Sequence, residues 1–336
     1  KDGLPDHDVR ALFASRHSEV WIGTRKGLAC WRRGQLRHYG REHGVNDEDI
    51  FALGEDAQGG LWVCNAREVQ LFDRAGERFV PYPLVEQRLL HVTFVRDAND
   101  LWAFKVNARV SASLDRWHDG QWTVFPLPGP ADLAGYPQCV VMDRESSVWT
   151  SAGKFGLDRF RDGQFTRFTA ADGLSDTWVI CFCEDREGNL WIGTDHGLNR
   201  WQPRRFRAYS VRDGLVHDNA WTLCETRDGS VWIGTDGGLS QFKEGRFTNY
   251  TERDGLARNS VRALAEDAEG GLWIGTGGGG LTVLRNGAFT NISLPGALSG
   301  NKIRVLHRGR DGAMWVGSEL GLHRFQDGQW TVWTRA

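Results

Sequence analysis

Eight tryptophans recur along the chain, each after a turn and a small apolar residue: Trp21, Trp62, Trp102, Trp149, Trp191, Trp232, Trp273 and Trp315. The residue eleven positions before each is, in order, Arg10, Phe51, His91, Gln138, Ile180, Trp221, Arg262 and Arg304. Three arginines, a histidine and an indole at equivalent stations would converge on one pocket. Guanidinium forks suit an anionic ligand, and an indole face suits the apolar face of a sugar ring. Neighbouring residues extend the same rim: His7, Trp178, His217, Asp218, Asn259 and Lys302. The expected binding set is Arg10, His91, Gln138, Trp178, His217, Asp218, Trp221, Asn259, Arg262 and Arg304. A plainer reading stands beside it, in which the arginines pair with acids such as Asp8 or Glu266 and fill the rim. Trp178 and Trp221 could equally be packed between repeats, because Trp is mostly buried.

Other chemistry finds little support. No Gly-x-Ser-x-Gly elbow and no His-Glu-x-x-His pair is present, so no catalytic residue is assigned. His7, His91 or His217 beside Asp8 or Asp218 could act as a base, which leaves a lyase on a sugar or cyclic substrate as an alternative. Gly277 to Gly280 lacks the Lys-Ser/Thr and helix of a phosphate loop and reads as a turn. The six cysteines show no disulfide framework. Cys139, Cys181, Cys183 and Cys224 fall on predicted first strands and Cys30 on a third, as small buried hydrophobes. Cys181 and Cys183 share a strand face, but no second pair completes a tetrahedral set, so neither metal nor cofactor is expected.

The elements that must carry these residues follow from the period. Successive signature tryptophans are 41, 40, 47, 42, 41, 41 and 42 residues apart, and the apolar pattern within each interval alternates instead of following a helical rhythm. In the repeat from Asp172 to Ser210, strands are predicted at 179–183, 190–194, 198–201 and 206–209, separated by Glu-Gly-Asn and Asp-His-Gly turns. Hairpin pairs such as Asp119-Gly120, Asp162-Gly163 and Asn286-Gly287 precede the last strand elsewhere. A four-stranded antiparallel meander of this length, repeated radially, is a β-propeller blade. The fold is expected to be all-β, a single propeller domain over 1–336 with eight blades; seven blades plus one further repeat is the alternative. The signature indoles belong to the core, and the glycine two residues later lets sheets approach closely. Repeats three and four are irregular, with the linkers 83–90 and 125–137 departing from the pattern, and such linkers commonly bear binding loops.

Composition narrows the function. A net charge of −2 with scattered basic residues gives no field for nucleic acid. No apolar run is long enough to span a membrane, and the chain starts at Lys1 without a signal pattern, as expected of a processed or excised segment.

The repeats at 172–201, 213–242 and 254–284, with their Asp-Gly-Leu linkers and Leu/Val-Trp-Ile-Gly-Thr strands, resemble the two-component regulator propeller repeat family. The resemblance implies the sensor propeller of a bacterial histidine kinase or hybrid regulator. Such a domain would bind a small molecule, a carbohydrate or an anionic metabolite, at its channel mouth. It also implies a periplasmic setting, a downstream signalling module and a receptor that pairs as a homodimer. Free thiols argue mildly for the cytoplasm instead. A protein-interaction scaffold is a further alternative.

Overall fold

A computed structural model describes residues 4–45, 49–65, 67–82, 89–96, 99–107, 112–128, 139–202, 205–292 and 302–333. Its described strands form eight four-stranded antiparallel sheets in simple meander order, so the protein is an eight-bladed β-propeller. The only helical elements among the described residues are five single 3-10 turns.

The chain divides into two compact units. The first comprises residues 1–134 and 309–336, the second residues 135–308. In the first unit Trp21, Trp62 and Trp315 are wedged between adjacent blades, while Trp102 stacks on Phe125 of its own blade. Trp21 meets Phe72 of the second blade at 5.2 Å between ring centroids, and Trp62 meets Trp117 of the third at 4.9 Å. Trp315, in the last repeat, packs on Trp31 of the first at 5.5 Å. The last repeat therefore serves as an eighth blade against the first, which is where the seven-blade alternative fails. In the second unit Trp149 meets Trp201 at 5.3 Å and Trp191 meets Phe242 at 5.1 Å. All eight signature tryptophans are buried, as the recurring pattern predicts.

A buried indole N–H needs an acceptor, and the repeat supplies one six residues upstream. Asp56, Asp143, Asp185 and Asp267 accept from Trp62, Trp149, Trp191 and Trp273 at 2.7–2.8 Å. The glycine two residues after the indole leaves room for the next blade. A Cβ on Gly275 would lie 2.5 Å from Ile303 Cγ2, and one on Gly234 would lie 2.6 Å from Val261 Cγ1.

The Asp-Gly-Leu linkers fold as 3-10 turns that aim the chain into each new first strand, a detail beyond the strand pattern. The carboxylates of Asp172, Asp213 and Asp254 accept from the backbone N–H of Thr169, Ser210 and Thr251 at 2.8–2.9 Å. Gly173, Gly214 and Gly255 then take left-handed φ values of 96, 106 and 116°, and Leu174, Leu215 and Leu256 are buried.

Strand bounds agree with the expected ones to within one residue in the fifth blade: Val179–Glu184, Leu190–Thr194, Gly197–Gln202 and Arg205–Tyr209. One placement is corrected. Cys139 lies just ahead of the strand Val140–Met142 rather than on it, because only its carbonyl joins the ladder, accepting from Ser151 N–H at 3.2 Å. The linker 129–137 and most of 83–90 lie outside the described residues.

Candidate functional site

In four blades the station eleven residues before the signature indole has a structural identity that the sequence did not reveal: it is a β-bulge. In the first strands of blades five, six and seven the pairing skips one residue, Ile180, Trp221 or Arg262. Arg10 is skipped in the same way in the first blade. A bulge leaves its extra residue out of the ladder and re-aims the side chain. In the third blade His91 stays in register opposite Val106, and the skipped residue is Leu90. The side chain of His91 lies outside the described residues, as does Gln138 altogether.

In the second unit two bulges meet around one carboxylate. Trp221 Nε1 donates to Asp236 Oδ2 at 2.9 Å, and Arg262 Nη2 donates to Asp236 Oδ1 at 2.7 Å. Ser260 Oγ donates to the same Oδ1 at 3.1 Å, and Asp236 N–H donates to Asn219 Oδ1 at 3.3 Å. The Arg262 guanidinium lies over the Trp221 ring, 4.0 Å from its centroid. Arg262 thus pairs with Asp236, on the bend of the preceding blade, and not with Glu266, which accepts from Arg227 N–H instead. Burial works to raise the Asp236 pKa, but the Trp221 hydrogen bond, the Arg262 charge and the Ser260 and Asn219 contacts outweigh it and hold the carboxyl below its ordinary value. Burial lowers the proton affinity of Arg262, Asp236 opposes this, and the nearby positive charge of Arg304 adds to the lowering. Arg304 and Lys302 are both exposed, and Arg304 lies near enough to Arg262 for the two charges to repel.

The other expected residues divide by role. Trp178 is 37% exposed, one of few large hydrophobics so placed, and its carbonyl accepts from Asp195 N–H at 3.1 Å. His217 is exposed, with Nδ1 accepting from Asn219 N–H at 3.2 Å. Asp218 and Asn259 are braces: their side-chain oxygens accept from Val211 and Glu252 N–H at 2.7 and 2.8 Å and hold the 3-10 turns. In the first unit Arg10 pairs with Asp8 at 3.2 Å and faces Asp49 at 3.5 Å. Burial raises the Asp49 pKa, with Arg10 opposing. Asp236, Asn219 and Ser260 were missed. The available signal was the Asp that follows Gly-Thr at 195 and again at 236.

Taken together, the sixth-to-seventh-blade corner offers an indole edge, a stacked guanidinium and the nearby Arg304 charge in a partly exposed setting. It can hold an acidic or hydroxyl-rich group by charge-assisted hydrogen bonds.

The family model described as two component regulator propeller matches residues 173–196, 214–237 and 255–278. Each match runs from a linker glycine across the bulged first strand to the bend that carries Asp195, Asp236 or Gly277. No curated protein sequence matches the chain. Among solved structures, a streptogramin B lyase is 13% identical with a TM-score of 0.60, over 98% of this chain and 96% of that one. A virginiamycin B lyase from Staphylococcus aureus is 13% identical with a TM-score of 0.57, over 94% of this chain and 92% of that one. A protein described as the extracellular domain of a hybrid two component system from B. thetaiotaomicron is 18% identical with a TM-score of 0.52; the match covers 98% of this chain and 61% of that one. At these identities the likeness is one of fold. The fifth, sixth and seventh blades of this eight-bladed β-propeller are therefore two component regulator propeller repeats.

Proposed function

We propose that the chain is the ligand-sensing propeller of a bacterial two-component signalling protein, placed outside the cytoplasm, and that it binds a carbohydrate or an anionic metabolite at the bulged ends of its first strands. The observation that carries this reading is the contrast within the repeat. Blades five to seven keep the same indole, Gly-Thr bend and Asp-Gly-Leu linker, while the bulge station changes from Ile180 to Trp221 to Arg262. A residue needed only for packing would repeat as the indoles do, whereas a ligand requires different groups around its perimeter. The matched repeats and the extracellular relative support the signalling role and the placement. Binding would act by shifting the equilibrium between two states of the domain or its partner module, in proportion to its differential affinity for them.

Thermal-shift screening against oligosaccharides and organic acids tests the reading, with the Arg262→Ala/Arg304→Ala variant as control. A hit that stabilises the wild type and not the variant supports it. A hit of equal strength on both, with the variant folded, removes the site from consideration.

A further inference from the structure

At the far end of the first strands a second repeating device joins neighbouring blades. An arginine in the turn after the first strand directs its backbone N–H onto a glutamate of the next blade. Arg16, Arg144, Arg186 and Arg227 reach Glu55, Glu184, Glu225 and Glu266 in this way at 3.0–3.1 Å. Nε of each arginine faces the same carboxylate at 3.5–3.8 Å, and Nη1 donates to a carbonyl of the next blade at 2.6–2.8 Å. The arginine stands five residues before its signature indole and the glutamate seven before the next one.

Arg310 occupies the arginine station of the eighth blade. The blade beside it in its own compact unit is the first, where the glutamate station holds Ala14. The carboxylate that meets this arginine in four other repeats is missing here. A cavity of about 360 Å³ opens in its place, walled by Ala14, Val20, Trp31, Arg33 and Arg310. Neither Arg33 nor Arg310 has a side-chain partner among the described residues. The two acids at the rim are already matched, Glu19 by Arg74 at 3.1 Å and Asp311 by Arg324 at 2.7 Å.

We propose that this cavity binds a small carboxylate with an apolar body. Its carboxylate takes the position that Glu55, Glu184, Glu225 and Glu266 fill elsewhere, on the Arg310 backbone N–H and guanidinium. Its body lies against Trp31 and Val20. The internal precedents name the ligand chemistry: the same arginine geometry holds a carboxylate wherever the chain supplies one. The size is that of a small-molecule site. This site is separate from the bulged ends of the strands and stands or falls independently of them.

Phenylacetate is a suitable probe, with phenylacetamide as its neutral counterpart and inorganic phosphate as a bare anion, read by ligand-observed NMR and calorimetry on the whole chain. Phenylacetate should bind, and the amide and phosphate should bind at least about tenfold more weakly, the loss expected when a charge-assisted hydrogen bond or the apolar contact is absent. Arg310→Gln, an exposed substitution, should weaken phenylacetate by a similar factor. Ala14→Glu should abolish binding by restoring the latch. Absent phenylacetate binding, equal binding of the amide or of phosphate, or undiminished binding by Arg310→Gln would each overturn the assignment.

Discussion

The Arg262 guanidinium stacks 4.0 Å from the centroid of the Trp221 indole, and both side chains donate to the two oxygens of Asp236. The three residues come from two blades and are joined because consecutive bulges turn Trp221 and Arg262 toward one bend. The arrangement orders an indole edge and a cation before any ligand arrives, which lowers the entropic cost of binding.

Asp236 makes this cluster pH-sensitive in a defined direction. Its carboxyl is held below the ordinary carboxylate value of about 3.9 by Trp221, Arg262 and Ser260 against the opposing effect of burial. A depressed pKa contributes stability that is fully present above that ordinary value and is lost as pH falls through the depressed one. Urea midpoints of the wild type should therefore exceed those of Asp236→Asn at pH 7, and the gap should narrow as pH falls below the ordinary carboxylate range. The side chain is 36% exposed, so the pair is worth about 1 kcal/mol or less after solvent screening. A gap independent of pH would contradict the assignment.

The eighth blade carries a repairable defect. Where four blades place an aspartate under the indole, this one has Gly309, and Trp315 Nε1 is buried without a hydrogen-bond partner. Gly309→Asp should raise stability by about 1 kcal/mol, the net value of one hydrogen bond. A Cβ there meets Asp311 Oδ1 at 2.5 Å, so that side chain, which accepts from Ala313 N–H and Arg324, must turn aside. The converse change, Asp185→Ala, strands Trp191 Nε1 and Asn189 N–H and should cost about 2 kcal/mol or more. Urea unfolding of the two variants checks both signs.

Close approach of neighbouring sheets should make the bend glycine intolerant of a single methyl. Gly275→Ala places a Cβ against Ile303 Cγ2, and overpacking of this kind costs about 1–3 kcal/mol. The backbone there does not need a left-handed φ, so the loss is steric. A thermal melt unchanged by the substitution would show that the sheets separate more easily than their packing suggests.

All six cysteines are free thiols, and burial disfavours their thiolates. It is the leading cause that pushes Cys183 up to about 11 and Cys139 and Cys224 up to about 12. Labelling by a disulfide reagent at pH 8 should be slow in the folded protein and rapid in urea. Slow labelling would make the free thiols compatible with either an oxidising compartment or the cytoplasm.

The strands, the eight indoles and the glycine that follows five of them were legible in the sequence because alternation and period report directly on burial. The station of Arg10, Trp221 and Arg262 was legible as a position but not as a bulge, since a bulge is a matter of hydrogen-bond register that side-chain type does not encode. Asp236 escaped notice for a related reason. It lies 26 residues before Arg262 and meets it only because one blade's bend abuts the next blade's first strand. Asp218 and Asn259 were legible as rim residues but not as the braces of 3-10 turns that their oxygens form, a role visible only once the linker has a defined conformation.

The central claim is that the bulged ends of the first strands form a binding site, and calorimetric titration of the best-stabilising sugar or organic acid tests it most directly. The account predicts saturable binding to the wild type and at least about a tenfold loss in folded Arg262→Ala/Arg304→Ala, as expected for lost charged hydrogen bonds. Equal affinity for both proteins would contradict it.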